Sequence, residues 1–197
     1  MTIVPTEDEQ AGYEQAVARY GTPVVRQEVY QVTPVTLDYW RRVRRQRSAE
    51  VVMVVRTVGG RFVIHTKSFY PSGVYRMMTG GIKLGENLKE AARREALEEI
   101  GHDVTIERLL AVQRHVFECG DECLSFTSYL FLMAAEDKPF QATDTTEDIA
   151  DYRHVPLVGL IKVAEQLESL PPDWIDWGRF RASAHRLAVE VLISNGS

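Results

Sequence analysis

GGIKLGENLKEAARREALEEIGHD, residues Gly80 to Asp103, is the most informative part of this 197-residue sequence. Its glycines predict a tight loop, and the charged run that follows them predicts a helix over 87–100. Asn87 is followed by Glu90 at the spacing that is typical of a helix N-cap pair. This part of the chain is therefore predicted to be a glycine-rich loop that leads directly into a helix.

The predicted helix carries many carboxylates on one side. Glu95, Glu98 and Glu99 have the spacing that places side chains on one helix face. Leu97 and Ile100 are expected to bury the other side. Like-charge neighbours destabilise a helix by roughly a few tenths of a kcal/mol per pair, unless cations lie against them. Mg²⁺ or Mn²⁺ would suit such oxygen ligands, and the alternative is a solvated acidic face.

The loop before the helix adds further candidate binding groups. Gly80 and Gly81 would let the backbone turn tightly and approach a ligand closely. Glu86 can join the acidic cluster or lie near the N-terminal amides of the helix, where a negative charge is favoured. Arg94 has a glutamate four residues away on either side and can brace the acidic face.

The same residues resemble the Nudix box. Its pattern is Gly, five residues, Glu, seven residues and then R-E-U-x-E-E-x-G-U, where U is apolar; here Gly80, Glu86 and residues 94–102 match it. Ala96 and His102 occupy the two U positions and are mild departures. The resemblance implies an α/β Nudix fold, an α/β/α sandwich around a mixed β-sheet. It also implies a hydrolase that uses Mg²⁺ or Mn²⁺ to cleave the diphosphate linkage of a nucleoside diphosphate derivative.

The resemblance also assigns roles to individual residues. Glu95, Glu98 and Glu99 would be metal ligands, with Glu86 as a possible outer ligand and Arg94 as a structural brace. Such an arrangement suits the reaction, because carboxylate-bound metal ions neutralise phosphate oxygens and align an attacking water.

The general base is left open among several acids. Family members use either a box glutamate, here Glu98 or Glu99, or an acid from a later loop. Glu147 and Asp148 are the later candidates, and Glu147 is the one taken forward as a catalytic or metal-binding residue. The alternative for Glu147 is an exposed loop acid.

Arg76 is a candidate phosphate-binding residue. It lies shortly before Gly80 and Gly81, and its guanidinium group could meet a substrate phosphate as a bidentate donor. The alternative is an ordinary surface arginine.

Composition and charge exclude several other classes of protein. Lys and Arg number 23 against 28 Asp and Glu, which gives a formal charge of -5 and makes a nucleic-acid partner unexpected. The chain begins without the features of a secretory signal, and no apolar run has the length of a bilayer span. Cys119 and Cys123 form neither a disulfide framework nor a complete zinc site. A cytoplasmic protein without a membrane partner is expected.

Outside the box, the hydrophobic patterns predict a mixture of helices and strands. The predicted helices lie at 7–20, from Pro34 onwards, at 157–170 and at 175–193; the predicted strands lie at 24–32, 50–57, 104–118 and 123–133, with a hairpin partner after 57 and a strand that ends near Pro156. We expect an N-terminal extension over 1–48, a Nudix core over 49–157 and a helical C-terminal extension of the same domain over 158–197. The N-terminal extension resembles the one by which ADP-sugar enzymes dimerise, so a homodimer is expected.

Two further groups of residues have alternative interpretations. The arginine run between Arg41 and Arg47 could attract phosphates or RNA, but a solvated basic helix end is favoured. Trp174, Trp177 and Phe180 could stack on a base, but core or dimer packing is favoured.

The substrate is only partly defined by the sequence. ADP-ribose enzymes of the family commonly carry a proline on the strand after the box. No proline occurs here between Gly101 and Lys138, which makes ADP-ribose itself a less favoured substrate. A nucleotide sugar or an ADP-ribose-like compound is the expected substrate class. The alternatives are a nucleoside triphosphate and a Nudix-like sensor that binds a ligand without turnover.

Overall fold

Helices and strands are described here for residues 7–47, 49–83 and 85–194 of a computed structural model. The helices are α1 (Glu7–Tyr20), α2 (Pro34–Gln46), α3 (Leu88–Ile100), α4 (Gly159–Glu168) and α5 (Pro172–Ser194). The strands are β1 (Val24–Gln31), β2 (Ala49–Thr57), β3 (Phe62–Lys67), β4 (Met78–Gly81), β5 (Thr105–Cys119), β6 (Glu122–Ala135) and β7 (Ile149–Val155). The expected helices and strands are confirmed, with small shifts at their ends. The predicted tight loop at Gly80 and Gly81 is wrong, because both glycines lie in β4 and pair with β2. In these residues we find no helix with the length and apolar character needed to cross a bilayer.

The strands form one mixed sheet. Six of its seven strands follow the order β1-β5-β6-β2-β3-β7, and the seventh, β4, pairs with β2 off this path. β1 pairs with β5 and β2 with β6 in parallel, whereas the other pairings are antiparallel. The long hairpin of β5 and β6 turns at Gly120, where φ is +58. The N-terminal strand β1 is therefore part of the same sheet as the Nudix-like segment.

Helices cover both faces of this sheet. The residues from Val51 to Val55 in β2 are at most 1% exposed, as expected for a strand that is buried on both sides. Val52 packs with residues of α4 and α5, while Met53 packs with residues of α1 and α3. The predicted α/β/α sandwich is confirmed.

Helix α2 closes one end of the α5 face with an aromatic cluster. Its N-cap is Thr33, whose hydroxyl accepts a hydrogen bond from the Thr36 backbone N–H at 3.2 Å. The Trp40 ring stacks on Phe117 with a centroid distance of 4.3 Å and meets Phe180 edge-on at 4.5 Å. Phe180 is 3% exposed, so core packing is confirmed for this residue and base stacking is wrong.

Helix α3 places the acidic residues close to the sheet. The Asn87 side chain caps its N-terminus, and Gly101 ends it in the left-handed conformation with φ +80. Ala96 and Ile100 are fully buried against the sheet, but Leu97 is 47% exposed. The expected burial of Leu97 is wrong, because successive helical residues are rotated by about 100° and the packed face passes through Ala96 and Ile100.

A buried ion pair links α5 to β2. Arg181 donates hydrogen bonds from Nη1 to both carboxylate oxygens of Glu50, at 2.8 and 3.0 Å, and the Ser128 hydroxyl donates another at 2.9 Å. Glu50 is 1% exposed and Arg181 8% exposed. Burial raises the pKa of Glu50, but the charges of Arg181 and Arg47 outweigh that effect and lower the pKa. Glu50 is therefore a buried carboxylate that depends on its cationic partner.

Helix α5 also contacts the residue just before β4, the strand that contains Gly80 and Gly81. The backbone N–H of Met77 donates to His185 Nε2 at 2.9 Å, and His185 Nδ1 is 2.8 Å from the carbonyl oxygen of Arg181. Since Nε2 accepts a hydrogen bond, the neutral ring carries its hydrogen on Nδ1. Both ring nitrogens are therefore used to hold α5 against the start of β4.

Protonation of His185 is expected to destabilise the folded protein in acid. Burial lowers the pKa of His185 from 6.5 to about 4. Between these values the unfolded state binds more protons, so the free energy of unfolding falls as the pH drops. The loss for this residue reaches about 3 kcal/mol, since one pKa unit corresponds to about 1.4 kcal/mol.

Urea unfolding measured between pH 7 and pH 4 tests this prediction, with His185→Gln as the comparison. The variant should show a weaker pH dependence, although buried His115, whose pKa burial lowers to about 3, acts in the same direction. An identical pH dependence in both proteins would contradict the assignment.

Candidate active site

The close approach of α3 to β4 depends on the paired glycines. A Cβ atom on Gly80 would lie 1.9 Å from side-chain carbons of Glu95. A Cβ atom on Gly81 would lie 2.7 Å from Cδ of Arg47. The space beside each glycine is therefore filled by a side chain of this protein, and the absence of a Cβ atom lets Glu95 lie against β4.

Arg94 connects the loop acid to the acidic residues of α3. It donates two hydrogen bonds to Glu86, from Nε at 2.7 Å and from Nη2 at 2.8 Å. Its Nη1 donates to Glu95 at 2.7 Å and to Glu98 at 3.0 Å, and its Nη2 donates to the carbonyl oxygen of Gly81 at 2.9 Å. Arg94 acts as the expected brace. On its N-terminal side, however, it pairs with Glu86 and not with the glutamate four residues before it.

These contacts give the carboxylates different electrostatic environments. The hydrogen bonds from Arg94 lower the pKa of Glu86 below its usual value. Burial raises the pKa of Glu95 despite the same arginine. Burial also raises the pKa of Glu99 to about 8, against the positive charges of Arg76 and Lys67. Burial therefore strongly disfavours the charged form of Glu99, even with these two cations nearby.

Glu99 is also the most enclosed of these acids. Its relative exposure is 0%, and neither carboxylate oxygen has a hydrogen-bond partner among the described residues. The ammonium group of Lys67 on β3 lies 3.7 Å from Glu99 Oε1. An additional cation would strongly stabilise the ionised form of such a buried carboxylate.

The later loop brings Glu147 to the same place. The backbone N–H of Thr143 donates to the Glu98 carbonyl at 2.9 Å, and its hydroxyl donates to the Leu97 carbonyl at 2.9 Å. A short 3-10 turn over Thr145–Glu147 then places Glu147 Oε2 2.5 Å from Lys67 Nζ. Asp148, the other candidate, is exposed and has φ +57. Glu147 is therefore the later acid that the fold brings beside Glu99.

Arg76 is enclosed by the protein, and its expected contact with a substrate phosphate stays a prediction. It is 4% exposed, so it is not a surface arginine. Its Nε donates to the Tyr70 hydroxyl at 2.8 Å, and its Nη1 donates to the Met77 carbonyl at 2.7 Å and to Thr79 at 3.0 Å. Its charge acts on Glu99, so Arg76 contributes to the positive potential of the site.

Lys67 is the site residue that the sequence did not reveal. Its place in β3, two residues after the fully buried His65, predicts that both side chains point to the same face of the sheet. The partners of Lys67 come from α3 and from the loop before β7, which are distant in the sequence. No local pattern could therefore identify its contacts.

Other candidate residues lie in separate environments. Arg41 pairs with Asp38 at 2.6 Å, and Arg44 donates to the Ser125 carbonyl at 3.0 Å. These members of the arginine run therefore make contacts within α2 and with the adjacent strand. Trp177 is half-buried and contacts Tyr70 with a ring distance of 4.9 Å. Cys119 and Cys123 are free thiols.

The donor set fits a hard divalent cation, but the carboxylates are already engaged. Carboxylate oxygens are the ligands that Mg²⁺ and Mn²⁺ prefer, and Glu99 has two buried oxygens without hydrogen bonds. Within the part of the chain that the structure describes, no group of acidic, histidine or cysteine side chains converges on one metal position. Arg94 and Lys67 hold several of the carboxylates, so metal binding requires some of them to turn away from these cations.

Comparison with known proteins matches most of the sequence to one family. The NUDIX domain model matches residues 44–178. Human mitochondrial NAD(P)H pyrophosphatase NUDT13 is 32% identical over 72 residues, which cover 36% of this chain and 20% of that protein. The match thus spans about a fifth of the length of this curated relative.

Similar solved structures have low sequence identity to the chain. The dihydroneopterin triphosphate pyrophosphohydrolase of E. coli is 16% identical with a TM-score of 0.49, over 73% of this chain and 96% of that one. A C. elegans Ap4A hydrolase is 21% identical with a TM-score of 0.47, over 75% and 98% of the two chains. Because the family model matches well over half of the sequence, including the whole glycine loop and α3, the chain belongs to the NUDIX family.

Proposed function

We propose that this protein hydrolyses the diphosphate linkage of a nucleoside diphosphate derivative, such as a nucleotide sugar or an ADP-ribose-like compound. The observation that carries the proposal is the fully buried Glu99 carboxylate of the intact Nudix box, which lacks hydrogen-bond partners among the described residues. It shares the Lys67 ammonium group with Glu147 of the later loop. The short match to an NAD(P)H pyrophosphatase supports a substrate with a diphosphate linkage.

Glu95, Glu98 and Glu99 would hold Mg²⁺ or Mn²⁺, with Glu86 as an outer ligand. When bound, the cation would offset the negative charge of the phosphate oxygens and orient the attacking water. Arg94 fixes the directions of Glu86 and Glu98 through its hydrogen bonds. Arg76 adds positive charge near Glu99, which favours an anionic substrate.

Glu147 is our proposed general base. It would accept a proton from water as the water oxygen attacks phosphorus and the bond to the bridging oxygen breaks. Lys67 holds its carboxylate near Glu99 at the start of the reaction. A box glutamate, Glu98 or Glu99, is the alternative base, and a pH profile of kcat in a Glu147→Gln variant distinguishes the two.

A phosphate-release screen with Mg²⁺ and Mn²⁺ tests the proposed function. The panel contains nucleotide sugars, ADP-ribose, dinucleotides and coenzyme A with a coupling phosphatase, and nucleoside triphosphates with a coupling pyrophosphatase. Metal-dependent hydrolysis of a diphosphate-linked compound supports the proposal, while pyrophosphate release from triphosphates alone would replace it. A protein that binds metal and ligand without turnover would be a sensor.

The homodimer and the cytoplasmic location stay predictions.

A further inference from the structure

Lys67 is an enclosed cation between two carboxylates from different parts of the fold. Its side chain is 11% exposed, and its Nζ lies 2.5 Å from Glu147 Oε2 and 3.7 Å from Glu99 Oε1. The side chain of Glu147 is 24% exposed, whereas that of Glu99 is fully buried. The ammonium group therefore connects β3, α3 and the loop before β7 at one point.

This position matters because Lys67, together with Arg76, offsets the charge of the buried Glu99 carboxylate. Its oxygens accept no hydrogen bonds from the described residues, and Lys67 is its ion-pair partner. A divalent cation held by Glu99 would lie close to the ammonium group if Lys67 kept its place. Like charges at such separations repel strongly where water is scarce. The two cations therefore cannot both occupy their best positions.

We propose that Lys67 is a positioning residue that serves as the counter-ion of Glu99 and Glu147 in the metal-free protein, competes with the divalent cation for Glu99, and stays paired with Glu147 when the cation is bound. The inference rests on the proposed function, in which Glu99 is a metal ligand. It gives Lys67 two opposing effects. Its charge weakens metal binding, while its contact with Glu147 holds the proposed base in place.

The first test is calorimetric titration of the full chain with Mn²⁺, without substrate and after removal of bound metal. Lys67→Met removes the charge and keeps most of the side-chain volume. We expect it to tighten Mn²⁺ binding by about tenfold, since it removes one nearby positive charge. Lys67→Arg should stay close to the wild type. Lys138→Met is the matched control, because it removes the same charge at a site with 63% exposure.

The second readout separates competition from a merely structural role. Lys67→Met should bind Mn²⁺ more tightly but turn over more slowly, with a lower kcat, because Glu147 loses its ion pair. Lys67→Arg should recover part of the turnover. A structural defect would instead weaken both metal binding and activity.

The wild-type protein provides a test that needs no variant. Mn²⁺ should increase the labelling of Lys67 by an amine-acetylating reagent relative to the exposed Lys138, as measured by peptide mass spectrometry. Unchanged labelling with bound Mn²⁺ would overturn the inference, as would unchanged or weaker Mn²⁺ binding in Lys67→Met. If the wild type binds no divalent cation, the proposed function fails as well. If it binds Mn²⁺ and only the Lys67 results are negative, the proposed function is unaffected.

Discussion

Glu99→Gln is expected to lower kcat/KM for the substrate found in the screen by about a thousandfold. The substitution keeps the shape of the side chain but removes the charge and one oxygen ligand from the buried centre of the site. A catalytic metal ion contributes several kcal/mol to stabilising the transition state. Each 1.4 kcal/mol corresponds to about a tenfold change in rate, so the loss of a ligand produces a large effect.

The matched control is Glu90→Gln on the same helix. Glu90 is exposed in the first turn of α3, and the N-cap bond uses its backbone N–H rather than its side chain. This variant should retain activity within about twofold. Initial rates with Mg²⁺ and Mn²⁺, together with unfolding curves for both variants, complete the comparison. Full activity in Glu99→Gln would place the metal site elsewhere.

Arg181→Met is expected to lower the free energy of unfolding by about 3 to 5 kcal/mol, because it leaves the Glu50 carboxylate buried without its partner. The remaining partners are the Ser128 hydroxyl, which donates at 2.9 Å, and the Arg47 guanidinium, which makes only an ion-pair contact at 3.9 Å. They cannot replace the two hydrogen bonds from Arg181. The loss is a large share of the stability of a typical domain.

A double variant separates loss of the pair from loss of packing. Glu50→Leu together with Arg181→Met replaces both charges by apolar groups, and such replacements are often neutral or stabilising. Urea unfolding of the single and double variants should therefore show that the double variant is more stable than Arg181→Met. If the changes in the free energy of unfolding caused by Glu50→Leu and by Arg181→Met simply add in the double variant, the ion pair is not the cause of the destabilisation.

Local structure and candidate chemistry follow from short stretches of the sequence. Asn87 and Gly101 mark the ends of α3, because an Asx cap and a left-handed glycine act over only a few residues. The apolar run of β2 predicted burial on both faces, since each side chain must meet a packed layer. The Nudix box identified the family, because its fixed residues are close together in the chain.

The way in which these residues are brought together depends on the folding of the whole chain. Lys67, Glu99 and Glu147 come from three separate segments, and sheet pairing and loop docking bring them together. Leu97 was predicted to be buried and is exposed, since the packing direction of α3 depends on the sheet beneath it. Contacts between distant segments follow from packing of the whole chain, whereas helix caps and strand patterns follow from neighbouring residues.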